Sequence, residues 1–151
     1  TGLSNTRLLP NRHEIINYQG VTIINDAYNA NPKSMQEALK TLKNYQCEGR
    51  RFFVVGDMLE LGNLAESAHI KLGAEVTKYS IDYLVAVGAF SALVTSSAIA
   101  SGMNKKNIAT ASEQECAVAF LKKHLRPGDC LLVKGSRGTK MEEVIKRLTG
   151  C

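Results

Sequence analysis

Residues 21–42, Val21-Thr22-Ile23-Ile24-Asn25-Asp26-Ala27-Tyr28-Asn29-Ala30-Asn31-Pro32-Lys33-Ser34-Met35-Gln36-Glu37-Ala38-Leu39-Lys40-Thr41-Leu42, decide the fold. Val21 to Ile24 is a β-branched run of the kind buried on both faces of a parallel sheet. The run stops at Asn25 and Asp26, and a helix is then signalled. Asn31 suits its cap, Pro32 suits the first helical position where no amide donor is needed, and Met35, Ala38, Leu39 and Leu42 recur at helical spacing. In open α/β sheets, ligands bind outside the carboxyl ends of the strands. The polar residues between this strand and this helix are therefore the first candidates for function.

Outward from this stretch the pattern repeats. His13 to Tyr18 and Val21 to Asp26 read as two strands joined across Gln19-Gly20, a connection so short that the pair must be antiparallel. Apolar strands follow at 51–56, 83–88 and 130–135, with a weaker one at 107–111, and helical patterns lie between and after them at 64–79, 90–101 and 140–148. Ser112 stands three residues before Glu115, the spacing of a capping box for a further helix that runs to about His124. One antiparallel strand followed by five strand-helix units predicts an α/β domain whose largely parallel sheet carries helices on both faces. Residues 1–12, with Pro10 and no periodicity, read as a lead-in linker, and 13–151 as a single domain.

Composition narrows the function. The chain has 151 residues, 44% hydrophobic and 22% charged, which suits one soluble globular domain. Its net charge of +5 and pI near 9.1 favour an anionic partner. Nucleic acid is the weaker choice among anions, because the cations are dispersed and aromatics make up only 6%. Cys47, Cys116, Cys130 and Cys151 show neither a C-x-x-C pair nor ligand spacing with the three histidines, so neither a metal site nor a disulfide framework is expected. No apolar stretch reaches the ~20 residues of a membrane-spanning helix and no signal-peptide pattern opens the chain, so the expected location is a reducing cytoplasm. Thr1 is not an initiating Met, and an excised part of something longer is expected.

Three stretches carry a resemblance: Asp26 to Pro32 (DAYNANP), Gly56 to Gly62 (GDMLELG) and Val133 to Lys140 (VKGSRGTK). Together and in this order they resemble the C-terminal domain of the Mur ligases, above all the branch that adds D-alanyl-D-alanine. The likeness covers essentially the whole chain, but only that one domain of the family. It implies a Rossmann-like three-layer sandwich, with a six-stranded, mostly parallel sheet, one antiparallel edge strand and about five helices. It also implies ATP with Mg as cofactor, the metal being held mainly by a central domain absent here. D-alanyl-D-alanine and UDP-N-acetylmuramoyl-tripeptide would be substrates, and the N-terminal and central domains of the same enzyme would be partners. With no P-loop or magnesium carboxylates, this chain would be a closing lid, inactive alone and without catalytic residues of its own.

The residues give that expectation chemical content. Asp26, at a strand end, can accept hydrogen bonds from ribose hydroxyls, though turns also favour Asp for local reasons. Asn29 and Asn31 offer amides that both donate and accept, as an adenine edge requires, and Asn31 equally suits a helix cap. Tyr28 can lie against a base or ribose. Arg12 resembles the arginine that reaches nucleotide phosphates in the family, a role its fork suits. Asp57 and Glu60, after a strand end, would position and help deprotonate an attacking ammonium. His69 matches a recurring family position, yet a lone helix histidine is more often structural. Ser136 and Arg137 follow the last strand where a P-loop would, but Thr139 precedes Lys140 at too short a spacing for that motif. They suit a carboxylate instead, with Arg137 forking onto it.

Rival readings are the matching domain of another Mur ligase, a folylpolyglutamate synthetase, or a stand-alone nucleotide-sensing module. An Asp-Asn-Pro-Arg motif is absent, which argues against the diaminopimelate-adding enzyme.

Overall fold

The computed structural model describes residues 5–8, as a strand, and residues 13–150. Among the described residues, seven strands form one sheet in the order β1-β2-β3-β7-β4-β5-β6. They are β1 (Asn5–Leu8), β2 (Glu14–Tyr18), β3 (Val21–Asp26), β4 (Arg51–Val55), β5 (Tyr83–Val87), β6 (Ile108–Ala111) and β7 (Cys130–Lys134). β2 runs antiparallel to β3 across the Gln19-Gly20 turn, and β3, β7, β4, β5 and β6 are mutually parallel. The six strands expected from sequence are present, and the count is corrected by one. β1 pairs antiparallel with β2 inside the stretch read as a linker, so β2 is not the edge. Asn5-Thr6-Arg7-Leu8 is largely polar, and pairing through the backbone leaves no apolar alternation to read.

Among the described residues, five α-helices cover the sheet: α1 (Pro32–Asn44), α2 (Ala65–Val76), α3 (Ser91–Ala100), α4 (Gln114–His124) and α5 (Glu142–Thr149). Alternation along the strands separates two cores. Ile24, Phe53, Leu84 and Leu132 face Met35, Leu39 and Leu42 of α1, Leu72 and Val76 of α2, and Val94 and Ala98 of α3. Ile23, Phe52, Val85 and Leu131 face Ala117 and Leu121 of α4 and Val144 and Leu148 of α5. The result is the three-layer α/β sandwich expected, because each central strand is apolar on both faces.

Local signals explain most element ends. Asn31 caps α1: its Oδ1 accepts from the Ser34 amide at 2.8 Å, while Ser34 Oγ accepts from the Asn31 amide at 2.9 Å. The box expected at Ser112 and Glu115 does not form. α4 starts at Gln114, which puts Glu113 at the cap position without a side-chain bond, and Glu115 instead pairs with Arg147 at 2.8 Å. At the opposite edge of the sheet, Cys130 is buried, and burial together with the neighbouring Cys47 pushes its thiol up to about 12.

Candidate functional site at the carboxyl edge of the sheet

The chain after β3 leaves toward α1 on one face, and the chain after β7 leads to α5 on the other. A crevice opens where neighbouring parallel strands send their connections to opposite faces. Asp26 ends β3 and Lys134 ends β7, and the two are register partners. Lys134 Nζ donates to Asp26 Oδ2 at 2.9 Å and to the Asn29 carbonyl at 2.8 Å, and His13 Nε2 lies 3.2 Å from the same carboxylate oxygen. Lys134 is only 3% exposed, and a lysine so deeply buried is rare unless paired. His13 is buried beside it, with Nδ1 unpartnered among the described residues. Two nitrogens thus fix the orientation of the Asp26 carboxylate through Oδ2, which turns its other oxygen into a preset acceptor.

These groups line an open cleft of ≈ 440 Å³ bounded by His13, Asp26, Tyr28, Asn29, Glu37 and Lys134. Three residues chosen from sequence, Asp26, Tyr28 and Asn29, meet there. Tyr28 is exposed, and Asn29 turns its Oδ1 back to the Ala30 amide at 2.9 Å. Asn31 is committed to its cap. Arg12 lies outside the described residues. Lys134 and His13 were not singled out from sequence. A lysine closing an apolar strand and a histidine opening one carry no signal until their shared partner is known.

The second group lies along the same edge, on loops joined by hydrogen bonds. Ser136 is buried: its amide donates to the Asp57 carbonyl at 3.0 Å, its Oγ accepts from the Leu59 amide at 2.8 Å, and that hydroxyl lies 3.3 Å from the Ala30 carbonyl. One side chain therefore ties together the loops that follow β3, β4 and β7. Asp57 is also buried, and its carboxylate accepts from the amides of Ala89 at 2.9 Å and Phe90 at 3.0 Å, at the start of α3. Gly88 makes this approach possible: it sits at φ +118°, and a Cβ there would collide with the Asp57 carboxylate.

His69, 1% exposed, completes the framework. Its Nδ1 lies 2.6 Å from the Ala65 carbonyl and its Nε2 accepts from the Met58 amide at 3.0 Å, which together require the neutral Nδ1–H tautomer. Its ring stacks on Phe90 at 4.4 Å. Glu60, in the left-handed region at φ 63°, and Arg137 are exposed on this edge. The Arg137 guanidinium lies 5.5 Å from the centre of the Tyr28 ring. Asp26 thus ends β3, and Asp57 and Arg137 follow the carboxyl ends of β4 and β7 on the same edge, but Asp57 points inward as a clasp.

Comparison with known proteins identifies the family and the fold. Residues 11–137 match the family model described as Mur ligase, glutamate ligase domain. The chain is 36% identical over 148 residues to the UDP-N-acetylmuramoyl-tripeptide–D-alanyl-D-alanine ligase of Bacillus subtilis, covering 97% of this chain and 32% of that protein. It is 33% identical over 150 residues to the Escherichia coli enzyme of the same name, covering 97% and 31%. A crystal structure of MurF from Acinetobacter baumannii superposes with a TM-score of 0.80 at 30% identity, covering 91% of this chain and 30% of that one. The MurF ligase of Thermotoga maritima in complex with ADP gives 0.77 at 26% identity, covering 95% and 31%. The chain therefore spans about a third of the length of the relatives it matches. It belongs to the Mur ligase family, and it folds as that family's glutamate ligase domain.

Proposed function

We propose that this chain is the C-terminal domain of a cytoplasmic, ATP-dependent ligase that joins D-alanyl-D-alanine to UDP-N-acetylmuramoyl-tripeptide for peptidoglycan synthesis. The observation that carries the reading is the Asp26 carboxylate, held by Lys134 and His13 at the head of a cleft that also contains Tyr28 and Asn29. In the overall reaction, ATP transfers its terminal phosphoryl group to the tripeptide carboxylate and leaves as ADP, and the dipeptide amine then attacks the acyl phosphate, forming the amide bond, expelling inorganic phosphate and losing a proton.

This domain contributes binding and closure. In this reading the Asp26 oxygen that is unpaired among the described residues accepts from ribose hydroxyls, Asn29 and Tyr28 flank the nucleoside, and Arg12, which lies outside the described residues, is the candidate for the phosphates. Arg137 forks onto the dipeptide carboxylate, and Glu60 draws its ammonium. Asp57, Ser136 and Asn31 serve the same rim by holding its loops. Closure orders the reactants and excludes water. The Mg that accompanies ATP belongs to the central domain in this reading.

The test is turnover. The purified 151-residue chain, given ATP, UDP-N-acetylmuramoyl-tripeptide and D-alanyl-D-alanine, should release no ADP, whereas the full-length enzyme carrying it should release ADP over many turnovers only with both the tripeptide and the dipeptide present. Turnover by the chain alone would overturn the lid role, and tight nucleotide binding by the chain alone would favour a sensor.

A further inference from the structure

Tyr28 is 71% exposed, so burial does not account for an aromatic ring at this turn. Its contact is with Arg137, whose guanidinium carbon lies 5.5 Å from the ring centre. The two residues come from different loops, Tyr28 from the one after β3 and Arg137 from the one after β7. Among the described residues Arg137 forms no ion pair with a carboxylate. A guanidinium over an aromatic ring is attracted by the ring quadrupole without spending an N–H donor on a carboxylate, so the contact restrains the side chain while its donors remain available to an anion. Tyr28 also lines the cleft headed by Asp26 and Lys134.

We infer that Tyr28 is a positioning residue for Arg137, and that the pair couples the nucleotide cleft to the neighbouring anion-binding position. The inference rests on the function proposed above. A nucleoside that settles against Tyr28 restricts the ring, and the ring in turn restricts the guanidinium that meets the dipeptide carboxylate. By linkage, the dipeptide then favours nucleotide binding to the same degree.

The experiment is a double-mutant cycle in the full-length ligase, with the KM for D-alanyl-D-alanine and the KM for ATP read separately. Arg137→Ala should raise the dipeptide KM. Tyr28→Ala should raise it by about two- to fivefold, the range of an exposed cation–π contact, and Tyr28→Phe, which keeps the ring, should restore it. In the Arg137→Ala background, Tyr28→Ala should add nothing to the dipeptide KM, and raising the dipeptide concentration should no longer lower the ATP KM as it does in the parent. If Arg137→Ala raises the dipeptide KM and Tyr28→Ala does not, or if the two effects multiply, or if Tyr28→Phe behaves like Tyr28→Ala, the positioning role is overturned and the proposed function stands. If Arg137→Ala leaves the dipeptide KM unchanged, the carboxylate assignment itself falls and the inference falls with it.

Discussion

Lys134 and Asp26 are register partners on adjacent parallel strands, and the lysine Nζ meets the carboxylate across 2.9 Å. Side chains in register on neighbouring strands project from the same face, so pairing β3 with β7 is enough to bring these two charges together. The sheet thereby builds the head of the cleft from residues 108 positions apart.

Removing the lysine should show as lost stability. Lys134→Met keeps the aliphatic stem but leaves a partly buried carboxylate with His13 alone, and breaking such a pair from one side costs about 3–5 kcal/mol. Urea unfolding of the 151-residue chain checks this. A change within about 0.5 kcal/mol, the range of an ordinary surface substitution, would contradict the pairing.

Asp57 should prove a stability residue first. Asp57→Ala removes the acceptor for the Ala89 and Phe90 amides, a capping loss of about 1–2 kcal/mol. Hydrogen exchange should quicken at those two amides. Unchanged protection there would mean that the carboxylate does not hold the start of α3.

His124, near the end of α4, should make stability depend on pH. Its pKa lies below the ordinary 6.5, first because burial disfavours the imidazolium, then because Lys123, Arg50 and Arg126 repel it. Between that lowered value and 6.5 the unfolded chain binds more protons than the folded one, so stability rises with pH across this window. The contribution is fully present above 6.5 and is lost as pH falls through the folded pKa. Unfolding free energies at about pH 5 and about pH 7.5 should differ less in His124→Gln than in the parent. An identical difference would contradict the assignment.

Much of this was legible because local and tertiary preferences agree. Val21 to Ile24 is apolar on both faces and lies between two helical layers, and Asn31-Pro32 begins α1 where its chemistry predicts. The strand ends placed Asp26, Tyr28 and Asn29 at one cleft for the same reason. What escaped depends on partners distant in sequence. β1 is held by backbone pairing, Ser112 lost its cap because α4 begins at Gln114, and Lys134 was hidden because a strand-terminal lysine normally reaches solvent. Asp57 and Ser136 were placed on the right edge, but whether a polar side chain faces the crevice or the neighbouring loop is settled by which amides lie in reach.

The central claim is that the Asp26 carboxylate holds the nucleotide. Steady-state kinetics of Asp26→Asn in the full-length ligase, with ATP varied at saturating D-alanyl-D-alanine, addresses it directly. The amide keeps the shape and removes the charge, and loss of charge-assisted hydrogen bonds should raise the KM for ATP by about tenfold or more. An ATP KM equal to that of the parent, in a variant whose circular dichroism shows it folded, would contradict the account.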